Sequence, residues 1–230
     1  MISTKEPLSG EDVPSALPKR SSYTLGEEIL NSITHGVGAG LSVAALVLLI
    51  VRAVYHAQEG GRAACVVGFS LFGASLVILY LMSTLYHSHS FTRAERLFQI
   101  LDHSAIYILI AGSYSAFCLS VLYGPIGWTL FIIVWLLAAV GVTLDSIWRC
   151  RLKVISLTLY LVMGWMIILV LRPIIAVTPP LTIKLLIGGG LCYTLGVIFF
   201  LMRQRWMHGI WHLFVLGGSV FHFFAAYWAI

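Results

Sequence analysis

Long apolar blocks separated by short polar stretches make up the chain from about residue 30 to its end. Each block has about 20 residues, which is the length that an α-helix needs to cross the hydrocarbon core of a membrane. Helices are expected because a spanning helix satisfies its own backbone hydrogen bonds. The pattern therefore predicts an all-α integral membrane protein with seven transmembrane helices, with spans near 30–53, 63–87, 100–122, 126–145, 154–171, 183–202 and 210–230.

The composition agrees with this prediction and excludes other classes of protein. Of the 230 residues, 60% are hydrophobic and only 10% are charged, which is too apolar for a soluble domain. The chain has no basic face with aromatic platforms, so we expect no nucleic-acid partner. The four cysteines are scattered singly, which favours buried thiols over a disulfide framework or a thiolate metal site. Residues 1–26 are polar and contain three prolines, which predicts a disordered N-terminal tail without a signal peptide, followed by a transmembrane domain over 27–230.

The distribution of lysine and arginine predicts the orientation in the membrane. If the N-terminus lies inside, ten of these residues fall on the inner side and four on the outer side. Positive residues collect on the cytoplasmic side of membrane proteins. We therefore expect the N-terminus in the cytoplasm and the C-terminus on the periplasmic or extracellular side.

Polar side chains cluster at the cytoplasmic ends of four predicted spans. Ionisable groups inside a span are costly, so they normally face the bundle interior and mark function. With the predicted topology, all four groups lie near one depth, which indicates a common site. The groups are Glu28, Asn31 and His35 in the first span, Ser83 and His87 in the second, Asp102 and His103 in the third, and His208 and His212 in the seventh.

Three of these histidines have the pattern of a zinc site. His208 and His212 are four residues apart and share one helical face, and His87 comes from a second helix. Three imidazoles leave one position open on a tetrahedral ion, which is typical of catalytic zinc, and an all-imidazole set suits Zn²⁺, with copper and iron as alternatives. Water in the open position would have a pKa of roughly 7. Alternatively, His208 and His212 have no ligand role and simply lie at the membrane interface.

Asp102 and Ser83 are the candidate catalytic residues beside this ion. Asp102 could accept a proton from the water or orient a histidine ligand, and Ser83 could donate a hydrogen bond to an oxyanion or to Asp102. Alternatively, Asp102 is an acid in the first turn of its helix, stabilised by the helix dipole. His103 points about 100° away from Asp102, so it is left out of the ligand set.

Two further histidines are interpreted as structural. His35, together with Glu28 and Asn31, is expected to join an inter-helical hydrogen-bond network rather than to bind the ion as a fourth ligand. His222 lies ten residues beyond His212, which is roughly 15 Å deeper in the membrane. We expect it to be a hydrogen-bonded residue of the bundle core.

Several of these segments resemble the progestin and adipoQ receptor family, in its bacterial branch of hemolysin III-like inner-membrane proteins. The resemblance covers residues 23–230 and is specific because its motifs occur in the right order. It implies a seven-helix bundle with a cytoplasmic N-terminus and a zinc ion held by three histidines near the cytoplasmic leaflet. The matching segments are Glu28–Gly36, Ser83–His87, Leu101–Ile106, Ala111–Tyr114 and His208–His212, with His222 beyond them.

The resemblance also assigns roles to single residues. The three zinc-binding histidines of the family match His87, His208 and His212, the acid that contacts the zinc-bound water matches Asp102, and the neighbouring serine matches Ser83. One departure concerns the loop from His87 to Asp102, which is two residues shorter than expected in the animal receptors and could shift Asp102 relative to the ion.

Three functions are compatible with these residues. The first is a zinc-binding protein of the bacterial inner membrane that regulates membrane-lipid or energetic homeostasis. The second is a zinc-dependent intramembrane hydrolase that acts on a lipid amide or ester, as the related ceramidases suggest. The third is a cytolytic pore, although no span shows the continuous polar stripe of a wide channel. Membrane lipids, and a lipid substrate or a free fatty acid, are the expected partners, and the sequence leaves the substrate, the oligomeric state and the existence of catalysis open.

Overall fold

The structure, a computed structural model, describes residues 23–148 and 152–230. Within these residues it contains helices and turns and no strand. Two short 3₁₀ segments, Glu59–Gly61 and Met166–Val170, precede α2 and α6. The predicted disordered tail falls mainly on residues 1–22, which lie outside the described residues. The α-helices are α1 (Leu25–His56), α2 (Arg62–Ser88), α3 (Glu95–Cys118), α4 (Pro125–Trp148), α5 (Lys153–Trp165), α6 (Leu171–Val177), α7 (Pro180–Leu201) and α8 (Met207–Tyr227).

Seven helical crossings are long and apolar enough to span a membrane in the described part of the chain. The fifth crossing, Lys153–Val177, consists of α5, the 3₁₀ segment and α6, and each other crossing is formed around one α-helix. The prediction of an all-α seven-helix membrane protein is therefore confirmed. The orientation of the bundle, with the N-terminus in the cytoplasm and the C-terminus on the opposite side, stays a prediction.

Helices α1 and α3 begin more than a turn before the predicted spans, because a polar turn extends each of them beyond the apolar block. Helix α1 starts at Leu25, where Thr24 and Glu27 form a capping box: the Glu27 backbone N–H donates to the Thr24 hydroxyl, and the Thr24 backbone N–H donates to the Glu27 carboxylate. These bonds satisfy backbone donors that would otherwise have no partner at a helix start. Helix α3 starts at Glu95, so it also includes a turn of polar residues.

The helices pack in chain order, and α8 closes the bundle by packing against both α7 and α1. Helices α2 and α3 are the most buried crossings. We call the end of the bundle that contains the starts of α1, α3 and α8 and the end of α2 the site end. At the opposite end, Arg52 of α1 donates to the carbonyl oxygens of Tyr227 and Ile230, and its guanidinium group lies 5.0 Å from the Tyr227 ring.

Close helix approach depends on glycine at the central contacts. A Cβ at Gly68 of α2 would collide with the backbone carbonyl of Ser115 in α3. A Cβ at Gly38 of α1 would lie 2.6 Å from the ring of Tyr80 in α2. Small residues are therefore required where α2 meets its neighbours, as is usual for helices that associate in lipid.

The fifth crossing contains a joint that is held by a tyrosine from α3. Where α5 gives way to the 3₁₀ segment, the Ile167 backbone N–H donates to the Tyr114 hydroxyl at 2.7 Å. The same hydroxyl donates to the carbonyl oxygen of Gly164 at 3.0 Å. Tyr114 therefore satisfies backbone groups for which hydrocarbon offers no substitute for water.

A buried hydrogen-bond cluster joins α3, α4 and α5 at the site end. Asp145 of α4 is fully buried and accepts a hydrogen bond of 2.6 Å from the Ser156 hydroxyl of α5. The Tyr160 hydroxyl, also on α5, lies 3.3 Å from Asp145 and donates to the His103 carbonyl oxygen at 2.9 Å. The position of α5 is thus linked to the α3 backbone next to Asp102.

Candidate metal centre

The three predicted histidine ligands come together at the site end. His87 lies in the last turn of α2, and His208 and His212 lie one turn apart at the start of α8. One ring nitrogen from each histidine can be chosen so that all three atoms lie within 4.8 Å of one another. His87 and His212 are almost completely buried, at 2% and 0% exposure. Among the described residues, this is the one group of at least three such side chains that could hold a metal ion.

The unpartnered nitrogens of these rings fit a metal ion. The Nε2 atoms of His87, His208 and His212 are all buried and have no hydrogen-bond partner among the described residues. Buried polar atoms are normally satisfied, so three unpartnered nitrogens on neighbouring rings fit a common partner such as a metal ion. Zinc binds imidazole nitrogen at about 2.0–2.1 Å, which places tetrahedral ligands about 3.4 Å apart. Movements of about an ångström would therefore complete the coordination.

The second ring nitrogens of two ligands are held by α1. His87 Nδ1 lies 2.6 Å from Glu28 Oε2, and both side chains are buried. His212 Nδ1 lies 3.3 Å from the Thr34 hydroxyl. Because a carboxylate only accepts hydrogen bonds, the His87 hydrogen belongs on Nδ1 and the Nε2 lone pair is left for a metal. A carboxylate that orients a histidine in this way is a common support of zinc ligands.

His35 and Asn31 pack beside the ligands without joining them. The rings of His35 and His212 are stacked, with centroids 3.6 Å apart, and Tyr80 lies edge-on to His35. Both residues of α1 are almost completely buried. Glu28, Asn31 and His35 lie on one face beside the ligands, as expected. The expected inter-helical hydrogen bond is present for Glu28, which contacts His87, whereas His35 contacts its neighbours by ring packing.

Asp102 and Ser83 lie near His87, as expected for candidate catalytic residues. Asp102 is 6% exposed, and His87 and Ser83 are among the groups that act on it electrostatically. The Ser83 hydroxyl is buried within interaction range of the Asp102 carboxylate. Asp102 is not in the first turn of α3, which begins at Glu95. The alternative that it is a dipole-stabilised N-terminal acid is wrong because that effect is limited to the first turn.

His103 and His222 are both outside the histidine cluster. His103 faces a small cavity that it lines with Lys153, Tyr160 and Trp211. His222 packs against the ring of Tyr193, with centroids 5.3 Å apart. The structure thus separates both side chains from the three converging nitrogens, as predicted.

Two aromatic residues at the centre were not identified from the sequence. The Trp211 ring packs against the rings of His208 and His212. The Tyr23 ring lies 4.9 Å from that of His208 and 6.5 Å from that of His87. Burial, followed by the nearby carboxylates of Glu28, Glu27 and Asp102, raises the pKa of Tyr23 to about 12. The phenol is therefore protonated at neutral pH. Tyr23 gave no signal in the sequence because it precedes the first apolar block.

Comparison with known proteins identifies the family. A family model described as "Haemolysin-III related" matches residues 23–223, which is most of the chain. The chain belongs to the hemolysin III family. Among its relatives, "Hemolysin-3" of Bacillus cereus is 47% identical over 206 residues, which cover 89% of this chain and 92% of the relative. The "Hemolysin-3 homolog" of Bacillus subtilis (strain 168) is 44% identical over 203 residues, which cover 88% of this chain and 93% of the relative.

An animal protein also matches this member of the hemolysin III family. The "Monocyte to macrophage differentiation factor" of Homo sapiens is 32% identical over 165 residues, which cover 67% of each chain. The resemblance to the progestin and adipoQ receptor family is therefore confirmed. Together with the seven crossings, the family match identifies a multi-pass bacterial membrane protein. The matched region includes every residue of the candidate centre, from Tyr23 to His212.

Proposed function

We propose that this hemolysin III family protein binds Zn²⁺ through His87, His208 and His212 and thereby regulates membrane-lipid or energetic homeostasis. The proposal is supported by two observations on these histidines. One ring nitrogen from each lies within 4.8 Å of the other two, and each has a buried Nε2 atom without a hydrogen-bond partner among the described residues. The lysine and arginine distribution supports a location near the cytoplasmic leaflet.

The residues around the cluster suit a zinc ion with one exchangeable position. Bound zinc with three imidazole ligands can polarise a carbonyl oxygen and lower the pKa of water. Glu28 and Thr34 would keep the His87 and His212 rings oriented, and Trp211 and Tyr23 would limit access of bulk water. Because the ligands come from α2 and α8, binding would also hold these two helices together and stabilise the folded bundle.

The direct test is metal analysis of the full-length purified protein. We expect about one zinc per chain, and we expect His208→Ala to lower the zinc content and the melting temperature together. The matched control is His56→Ala, because His56 is an exposed histidine at the opposite end of the bundle and should not alter either quantity. A parent protein without bound zinc after purification in zinc-containing buffer would refute the site. Lipid analysis of cells that lack the gene then tests the proposed physiological role.

A zinc-dependent lipid amide or ester hydrolase is the second candidate, and the position of Asp102 favours it. This carboxylate is buried near His87 and Ser83, where it could hold a proton taken from an attacking water. The buried Ser83 hydroxyl, next to Asp102, could donate a hydrogen bond to a developing oxyanion. The two side chains would thus supply a base and a donor on the same side of the histidine cluster.

The two functions differ in their response to Asp102→Asn. If the protein is a hydrolase, this variant keeps its zinc but loses the release of fatty acid from a panel of ceramides, lysolipids and phospholipids. If zinc serves only in regulation and structure, neither the parent nor the variant releases fatty acid, and both bind zinc equally. Ser83→Ala should lower the rate by a smaller factor than Asp102→Asn.

A further inference from the structure

Residues at and just before the start of α1 contact the candidate metal centre and the residue that precedes α8. We call residues 23–28 the cover segment. Tyr23 contacts the His208 ring, the Glu27 carboxylate accepts a hydrogen bond of 2.9 Å from the Trp206 backbone N–H, and Glu28 contacts His87. The cover segment therefore touches two of the three proposed ligands and the residue that precedes α8.

Trp206, whose backbone N–H is bonded to Glu27 of the cover segment, has an unusual backbone conformation. Trp206, immediately before α8, has a φ of 69°, and it is the one non-glycine residue with positive φ in the described part of the chain. This left-handed region is unfavourable for residues with a side chain. The bond to Glu27 satisfies the Trp206 N–H in this conformation, and the Trp206 ring lies against Gly26. The contact is thus specific to one backbone geometry at the start of α8.

Two contacts of the cover segment, that of Tyr23 with His208 and that of Glu27 with Trp206, are of a kind that can break while the buried Glu28–His87 contact and the bundle stay in place. Tyr23 lies before α1 and outside the membrane-spanning segment. Its contact with His208 is a packing of two tilted rings, with centroids 4.9 Å apart. Thr24 and Glu27 bond to each other, so the capping box can persist when the Trp206 bond is lost. Helix termini are the parts of a structure that open at the lowest free energy.

From these contacts we propose that the cover segment is a gate that controls exchange of the metal ion and of its exchangeable ligand with the aqueous phase at the site end. The inference depends on the proposed zinc site. In the closed state the Tyr23 ring covers the histidine cluster, and the Glu27–Trp206 hydrogen bond holds this state. When the bond breaks and the ring moves away, His208 is uncovered. The gate changes the rate of exchange, whereas the ligands set the affinity.

The experiment measures Zn²⁺ release and capture by full-length protein in detergent micelles, with a water-soluble colorimetric chelator in a stopped-flow instrument. Tyr23→Ala is expected to accelerate release about tenfold, because an aromatic contact of this kind is lost. Capture should accelerate by a similar factor, so the equilibrium affinity changes far less than either rate. Tyr23→Phe keeps the ring and should accelerate release much less than Tyr23→Ala does. Tyr55→Ala, which removes an exposed tyrosine at the opposite end, is the matched control.

A second pair of variants tests how the gate is held. Glu27→Ala removes the acceptor of the Trp206 N–H and should accelerate release and capture as Tyr23→Ala does. Glu27→Gln retains a side-chain oxygen that can accept this hydrogen bond, so its rates should stay near those of the parent.

The outcomes separate the gate from the metal site. If Tyr23→Ala binds zinc with parental rates of release and capture, the gate is refuted and the zinc site stands. If its release accelerates but its capture does not, Tyr23 supports the position of His208 and the gate is again refuted. If the parent binds no zinc, the proposed function and the gate are both refuted.

Discussion

The hydrogen bond between Glu28 and His87 gives the sharpest prediction about the metal centre. Replacement of Glu28 by glutamine keeps the shape of the side chain but removes the negative charge that faces His87 Nδ1 at 2.6 Å. Replacement by alanine removes the acceptor as well and leaves the Nδ1–H buried next to a cavity. The side chain of His87 is completely buried, so in both variants water cannot replace the lost partner.

The expected size of the effect follows from the behaviour of supporting residues at other metal sites. Loss of such a partner typically weakens metal binding by about 10- to 100-fold, which corresponds to about 1.4–2.7 kcal/mol. Because an amide oxygen can still accept the hydrogen bond, we expect Glu28→Gln near the lower value and Glu28→Ala near the upper one. Affinity is measured by competition with a chelator of known zinc affinity at fixed pH.

The control for this series is Glu27→Gln. Glu27 is the adjacent carboxylate and is equally buried, but it bonds to Thr24 and Trp206 and contacts none of the three proposed ligands through a hydrogen bond. Its replacement should leave the zinc affinity unchanged. Parental affinity in Glu28→Ala, or an equal loss in Glu27→Gln, would refute the idea that Glu28 supports zinc through His87.

The remaining predictions concern stability. Gly68→Ala should destabilise the bundle by about 1–3 kcal/mol, because its Cβ would meet the backbone of Ser115, whereas Gly40→Ala, which has open space, should be neutral or slightly stabilising in chemical denaturation. Arg52→Met should lower stability by about 1–2 kcal/mol through loss of the contacts with the end of α8, whereas the exposed Arg62→Met should not, as measured by thermal unfolding. Saturating zinc at about 100 times its dissociation constant should stabilise the stripped protein by about 2.7 kcal/mol, and a variant without the three histidines should show no response.

The sequence was sufficient to predict the histidine cluster because the constraints were strong. The apolar blocks defined the crossings, and an alternating direction of the helices brought the end of α2 and the start of α8 to one end of the bundle. Spacing by four residues then placed His208 and His212 on one face. Each of these inferences uses only helix geometry and membrane thickness, so errors of a few residues at the helix ends did not affect the result.

The contacts of the cluster could not be predicted in the same way. Whether Glu28 faces His87 depends on the rotation of α1 about its axis, which the packing of Gly38 on Tyr80 helps to determine. Tyr23 precedes the region where periodicity carries information. The start of α3 was predicted too late, because the helix begins at Glu95, before the apolar block. This error placed Asp102 in the first turn and suggested that the helix dipole stabilises it.

The joint in the fifth crossing has a consequence for how the protein responds to its bilayer. A continuous helix adapts to a thicker or thinner membrane by changing the tilt of its whole length. The joint at Met166–Val170 interrupts this crossing, so we expect α5 and α6 to tilt less strictly as one body than a continuous helix, within the limits set by the bonds of Tyr114 across the joint. Because Tyr160 on α5 is bonded to the carbonyl of His103, such a change would be transmitted to the α3 backbone beside Asp102. We therefore expect the lipid environment to influence the geometry of the candidate metal centre.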